Sequence, residues 1–380
     1  MQVGIDITSL IYGRGVSRYT SNLVSALSDY NLNLSLFGYS WQKYSWLKNQ
    51  ANDLASYNNK TQIKISHIPP KLLEHAWKIG LKPMASFFPN LDVFHSWDWL
   101  QPPDNHLPLV STIHDLSMLK FPDTVHPSIL SHHQKSWQIL KDRQARIIAV
   151  SRSTKKDIVD LLGIPAYLVH VVYEALPVEI NYLSQAISED EYNKIKLDLK
   201  LERPFIFFVG TREPRKNLER LIQAWEPLSH DFDLIIAGDA GWDNTSNREN
   251  FQHLSEKGLR FLGRVNDHQL FVLYSQANVF AFPSLYEGFG LPILEAFHHG
   301  TPVVTSNNSG MMEISGNAAE LVDPSSVEDI RRGLTTVLGE NLVQQRIRLQ
   351  RMIIRKQLFS WKKAASETIK VYENAIEDKK

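Results

Sequence analysis

The stretch NVFAFPSLYEGFGLPILEAFHHGTPVVTSN, residues 278–307, reads in one pass as strand, turn, helix and strand. Its two ends, NVFAFPS and TPVVTSN, are apolar runs of strand character. Between them Gly288 and Gly290 lie close to Pro292. A continuous helix through Glu287 and Glu295 would hold two glycines, at about 1 kcal/mol each, and a proline at about 3 kcal/mol. A tight turn followed by a helix starting at Leu291 or Pro292 avoids that cost, because a first-turn proline lacks only an N–H that would be unpaired anyway. Such a turn aims backbone N–H groups and the helix dipole at an anion. Two carboxylates bracket it. Glu287 and Glu295 would repel a phosphate, so their work lies elsewhere, in accepting hydrogen bonds from sugar or ribose hydroxyls. The plainer reading makes Glu287 a charge that complements the helix dipole and Glu295 an exposed helical residue.

The same rhythm runs along the whole chain. In the first half the strand candidates are QVGIDI, LSLFGY, QIKISHI, DVFHSW, LVSTIHD and RIIAVS, with helical patterns such as RYTSNLVSALSDY and STKKDIVDLLG between them. The second half repeats it with PFIFFVG, LIIAG, RFLG, NVFAFPS, TPVVTSN and AELVD. Continuous apolar strands separated by helices indicate parallel sheets covered on both faces. Two such sets predict an α/β chain of two doubly wound, Rossmann-like domains. The expected boundaries are residues 1–180 for the first domain, 181–203 for a linker carrying one helix, and 204–360 for the second. The remaining 361–380 form a terminal amphipathic helix that either closes the second domain or crosses back to the first.

Composition narrows the function classes. The 380 residues are 43% hydrophobic and 22% charged, with Lys+Arg and Asp+Glu both at 41. That even balance gives no global attraction to nucleic acid. No cysteine is present, which removes disulfides, thiolate metal sites and Cys nucleophiles. No run approaches the roughly 18 apolar residues of a membrane span. A cytoplasmic protein is expected, with peripheral contact on a membrane surface as a further option.

In parallel sheets, ligands sit where loops leave the carboxyl ends of strands. After PFIFFVG come Thr211, Arg212, Glu213, Pro214, Arg215 and Lys216. Arg215 and Lys216 could clamp a diphosphate, or be solvated charges at a helix start. After RFLG, Arg264 and Val265 lead into a helix cap at Asn266, where main-chain groups could meet a planar base. In the first half, the turn YGRGVSRY sets Gly13 and Gly15 between a strand and a helix, as phosphate-binding turns and many other turns do. His114 ends the strand STIHD, where it could bond a hydroxyl, shuttle a proton or be structural. No H-E-x-x-H, P-loop, G-x-S-x-G or G-x-G-x-x-G pattern appears in strand context.

In order, FVGTREPRKNLERLI, FLGRVNDHQLFVLYSQA and FPSLYEGFGLPILEAFHHGTPVVTSN resemble glycosyltransferase family 4. DITSL, GVSRYT, TIHDL and IIAVSRSTKKDI extend the resemblance through the first half. It implies the GT-B fold, two Rossmann-like domains facing a central cleft. It also implies a retaining transfer from a nucleotide-diphosphate sugar with no metal ion and no cofactor. Within it, Glu295 holds the donor ribose and Glu287 the sugar hydroxyls. Arg215 and Lys216 neutralise the leaving diphosphate, with Gly288, Phe289, Gly290 and Leu291 beside it. Thr211, Arg264 and Val265 belong to the donor site, His114 contacts the sugar or supports the acceptor, and Gly13 and Gly15 line the cleft. Many relatives carry arginine where this chain has Thr211, which leaves the phosphate charge to Arg215 and Lys216, with Arg212 in reserve. The GTREPRKN form resembles bacterial mannosyltransferases of surface-polysaccharide assembly, so GDP-mannose is the expected donor and a UDP-sugar the alternative. The acceptor is expected to be a saccharide or lipid-linked saccharide, near Lys71, Trp77, Lys78 and Lys82, which could meet an anionic membrane or form an ordinary surface helix. A silent nucleotide-sugar-binding protein, and an epimerase or phosphorylase on the same plan, are the remaining alternatives.

Overall fold

The computed structural model describes residues 1–13, 15–241 and 248–379. The chain divides into two compact units, residues 1–177 with 360–380, and residues 178–359. Each is built on one parallel sheet.

The first sheet contains β1 (Gln2–Asp6), β2 (Asn33–Tyr39), β3 (Gln62–Ser66), β4 (Val93–Trp97), β5 (Leu109–Ile113), β6 (Arg146–Ala149) and β7 (Val169–Val171), in the order β3-β2-β1-β4-β5-β6-β7. Six of these match the apolar runs of the sequence. The seventh does not: Val169–Val171 is three residues long, carries His170 at its centre and lies at the sheet edge. A strand that short has no periodicity to read. The core of this unit includes Phe37, Phe94, Trp137 and Ile147. Trp77, expected on a surface helix that either meets a membrane or is an ordinary one, belongs to that core: it is 4% exposed, stacks on Phe37 at 6.0 Å and donates from Nε1 to Lys82 O at 2.9 Å. Lys78 is paired to Glu74 one helical turn away.

The second sheet contains β8 (Phe205–Val209), β9 (Asp233–Ala237), β10 (Leu259–Gly263), β11 (Val279–Phe282), β12 (Val303–Ser306) and β13 (Glu320–Val322), in the order β10-β9-β8-β11-β12-β13. Its central strands are buried along their length and aromatic on both faces. Phe207 meets Tyr274 edge-on at 5.1 Å, and Phe280 stacks on Phe282 at 5.6 Å. Full burial of each such ring stabilises the unit by roughly 1.5–3 kcal/mol.

One segment differs from the sequence reading in detail, and a second takes one of its two options. Residues 181–203, expected to hold a linker and one helix, lie in a stretch that forms two helices, Val178–Ala186 and Glu189–Asp198, which pack on the helix Asp267–Gln276 within the second unit. The terminal helix Trp361–Glu377 packs on the first unit, beside Gly15–Ser28 and β4 to β6. Trp361 Nε1 donates to Leu176 O at 2.9 Å, Tyr372 OH meets His95 Nδ1 at 2.8 Å, and Arg146 pairs with Asp378 at 2.6 Å. Of the two options for this helix, packing on the first unit wins because Trp361, Ala365, Thr368, Val371 and Tyr372 find their apolar partners there.

Candidate active site

Strand order reverses between β8 and β11, which neighbour each other while the chain runs outward on either side. Ligands of such sheets sit at the carboxyl ends of that strand pair. The loops that leave those ends are 210–217 and 283–290, the two segments singled out in the sequence.

The first loop closes in a single 3-10 turn, Pro214–Lys216, ahead of the helix Leu218–Trp225. Asn217 separates the two with φ +61°. That backbone is unfavourable for most residues, but asparagine tolerates it, and its buried Nδ2 donates to Pro283 O at 2.9 Å and Pro324 O at 2.7 Å. Leu285 N donates to Arg215 O at 2.8 Å, so the two loops are tied directly.

In the second loop the helix starts at Leu291, with Pro292 in its first turn and Gly290 as the cap at φ +102°. No side chain caps it. The turn is held from β12's side: Gly310 N donates to Glu287 O at 3.0 Å, and Ser309 Oγ accepts from Glu287 N at 3.2 Å. A Cβ on Gly310 would stand 2.3 Å from Gly288 O, so only glycine permits this approach. Ser284 Oγ, at the start of the loop, is buried without a hydrogen-bond partner.

These tethers bring three charges together. Glu287 Oε1 lies 2.6 Å from Lys216 Nζ, and its Oε2 lies 2.9 Å from Arg215 Nη1. Arg215 also donates to Tyr286 O at 2.8 Å and to Glu213 at 3.3 Å. Lys216 Nζ stands 5.0 Å from the centre of the Phe282 ring. Burial alone would push the Glu287 carboxyl up; the charges of Arg215 and Lys216 more than reverse that, and bring it down to about 2. Glu287 is therefore ionised at neutral pH. The sequence reading treated cations and carboxylate separately; the fold makes them one cluster.

Glu295 stands on the following helix and is 5% exposed, not the exposed helical residue of the plainer reading. Tyr274 OH donates to its Oε2 at 2.9 Å. Thr211 is half-buried after β8, and the Arg212 guanidinium lies 5.0 Å from the Phe261 ring centre. Arg264 is exposed and Val265 half-buried after β10, and Asn266 caps the next helix in a capping box with Gln269.

Gly13, Gly15 and His114 belong to the first unit. Gly13 ends a 3-10 turn with φ +62°, Gly15 opens the helix Gly15–Ser28, and Arg14 between them lies outside the described residues. His114 follows β5, and its Nδ1 meets Glu174 Oε1 at 2.8 Å. Burial would lower its pKa, but the bond and charge of Glu174 raise it overall. His95, one strand away, has Tyr372 OH and Thr112 Oγ1 on its two nitrogens, each at 2.8 Å, and burial drives its pKa down to about 3. His95 is the structural histidine of the pair. Sequence reasoning missed Asn217, Tyr274 and Glu174. The first two lie beside motif residues, while Glu174 follows the strand whose pattern was illegible.

A model described as "Glycosyltransferase Family 4" matches residues 13–180, and one described as "Glycosyl transferases group 1" matches residues 189–356. An O-antigen chain mannosyltransferase B from Escherichia coli is 31% identical over 268 residues, 69% of each chain. The chain belongs to glycosyltransferase family 4. This glycosyltransferase aligns along its whole length with solved structures of the same fold. A glycosyltransferase from Rickettsia africae gives a TM-score of 0.73 at 16% identity, over 99% of both chains. The Anabaena protein HepE in complex with UDP and glucose gives 0.67 at 18% identity, over 98% of this chain and 100% of that one. At those identities the likeness shows the fold, which is GT-B. No helix among the described residues of the transferase is long and apolar enough to cross a membrane.

Proposed function

We propose that this transferase moves a mannosyl group from GDP-mannose to a saccharide or lipid-linked saccharide, with retention at the anomeric carbon and without a metal ion. The observation that carries the reading is the Arg215–Lys216–Glu287 cluster at the β8/β11 switch point. As the anomeric bond breaks, the sugar becomes oxocarbenium-like and the diphosphate gains negative charge. Two preorganised cations and the start of the helix Leu291–His299 stabilise that charge where it develops. A guanidinium offers five N–H donors and an ammonium three, so both can serve Glu287 and a diphosphate together. Positive charge supplied this way does the work a divalent ion would do, which is the support for metal independence. EDTA should then leave the rate intact; loss of activity restored by a divalent ion would overturn that part.

Glu287, in turn, keeps lone pairs for sugar hydroxyls while holding the cations in place. A carboxylate tied to two cations, with a conjugate acid near 2, is a poor nucleophile. That favours attack on the same face, with a departing phosphate oxygen taking the acceptor's proton, over a covalent intermediate. Glu295 holds the donor ribose, and Thr211, Arg264, Val265, Gly288, Phe289, Gly290 and Leu291 line the donor site. In the first unit, His114 meets the sugar, and the turn of Gly13 and Gly15 contributes to donor binding.

The choice of mannose rests on the GTREPRKN segment and on the similarity to the O-antigen mannosyltransferase. HepE, solved with UDP and glucose, favours the second reading, a UDP-sugar donor. A thermal-shift series with GDP-mannose, UDP-glucose and the free nucleotides separates them, since a ligand at 100 times its Kd adds about 2.7 kcal/mol of stability. Stabilisation by UDP-glucose and not by GDP-mannose would overturn the mannose assignment. If the acceptor is lipid-linked, the exposed Lys71, Leu72, Ile79 and Leu81 are the groups that would face the membrane in peripheral contact.

A further inference from the structure

Glu174, buried against His114 in the first unit, has no place in the chemistry above. His114 follows β5 and Glu174 follows β7, with β6 between those strands. The Glu174 carboxylate reaches across one strand's width to place Oε1 at 2.8 Å from His114 Nδ1. The two side chains are only 20% and 9% exposed. Tyr19, on the helix Gly15–Ser28, packs edge-on to the imidazole at 4.7 Å and 90°, and its own OH is tied to Thr112 Oγ1 at 3.0 Å. The ring therefore has one orientation. Its other nitrogen, Nε2, is buried and has no hydrogen-bond partner among the described residues.

That last fact sets His114 apart from His95, whose two nitrogens are both satisfied. Buried polar atoms without partners are uncommon in folded proteins, and each calls for a water, an ion, a ligand atom or a functional role to account for it. The groups that act on His114 are acidic from three directions: Glu174 after β7, Asp98 after β4 and the neighbouring Asp115. His95 on β4 is neutral, and Tyr19 stays protonated because burial raises its pKa. A carboxylate on Nδ1 fixes which nitrogen faces outward and favours the charged ring.

We propose that Glu174 is a positioning residue of the transfer reaction, holding His114 through Nδ1 in one orientation, so that Nε2 is presented in a fixed direction to a hydroxyl of the transferring sugar. This rests on the reading above that His114 meets the sugar. No bond is made or broken at either residue. The hydrogen bond at Nε2 strengthens binding of one sugar hydroxyl and orients the sugar ring for transfer.

The test uses full-length wild type, Glu174→Gln, Glu174→Asp and His114→Ala. Nitrogen-detected NMR of the imidazoles follows the His114 signal, identified as the one lost in His114→Ala. In wild type the doubly protonated ring should persist to higher pH than in a free imidazole, and in Glu174→Gln the midpoint should fall to about 6.5 or lower. Turnover of GDP-mannose in Glu174→Gln should drop roughly 10–100-fold with little change in nucleotide affinity, and Glu174→Asp should recover part of it. A wild-type midpoint at or below that of a free imidazole, an unchanged titration in Glu174→Gln or an undiminished turnover would each overturn the proposal. Should Glu174→Gln fail to fold, the wild-type titration and Glu174→Asp still decide it. A wild type that consumes no nucleotide sugar would sink the donor reading instead, while the titration continues to test the pair.

Discussion

Lys216 Nζ stands 2.6 Å from Glu287 Oε1, across 71 residues of sequence. Both side chains are only 12% exposed, and Arg215, also 12% exposed, completes the cluster at 2.9 Å. Charges withdrawn this far from water need each other, and removing one leaves the rest uncompensated.

The carboxyl of Glu287 is depressed from 4.5 to about 2. A group lowered on folding contributes stability that is present above its unfolded pKa and lost as pH falls through the folded value. Urea unfolding should therefore show a loss on the order of 3 kcal/mol between about pH 5 and pH 2. Glu287→Gln should flatten that part of the profile. An identical acid limb in the variant would contradict the assignment.

Lys216→Ala removes one cation from the diphosphate side while Arg215 still neutralises Glu287. Turnover should fall by roughly 10²-fold or more, as it does when a preorganised charge-stabilising donor is removed. The check is steady-state kinetics beside a melting curve: a wild-type kcat would remove Lys216 from leaving-group stabilisation.

Glu295→Ala deletes the carboxylate assigned to the donor ribose. Calorimetric titration with the nucleotide should show weaker binding. Tyr274→Phe, which takes away the hydrogen bond at 2.9 Å, should have a smaller effect, about 1 kcal/mol. Equal nucleotide affinity in Glu295→Ala and wild type would end the ribose assignment.

Gly310→Ala forces a methyl group to within 2.3 Å of Gly288 O. The loop around Glu287 must move away, so donor affinity should fall together with thermal stability. Overpacking of this kind typically costs 1–3 kcal/mol. A variant with native melting and native nucleotide affinity would show that the loop yields without consequence.

Much of the loop 283–290 and its surroundings is legible because the rules are local. Pro292 in the first turn, Gly290 as the cap and Asn266 with Gln269 as a capping box depend on residues three or four apart. The apolar runs of β8, β9 and β11 declare a buried parallel sheet without reference to anything distant. The three-residue β7 carried no such pattern, and with it went Glu174, whose meaning depends on a histidine 60 positions earlier. Trp77 shows the opposite error. Lysines around it suggested a surface, but a helix has two faces, and packing against Phe37 decided which one the indole joined.

The sequence by itself determined two α/β halves, the loops that follow the strands at the β8/β11 switch point, and a family membership written in the order of its motifs. Strand order was left to the tertiary structure, and with it which loop ends become neighbours. That is why Glu287 could be read as an isolated carboxylate until β8 and β11 set it against Arg215 and Lys216. An ion pair between residues 71 apart is stable only once the sheet has excluded water and fixed both backbones. No local pattern in the chain encodes that exclusion.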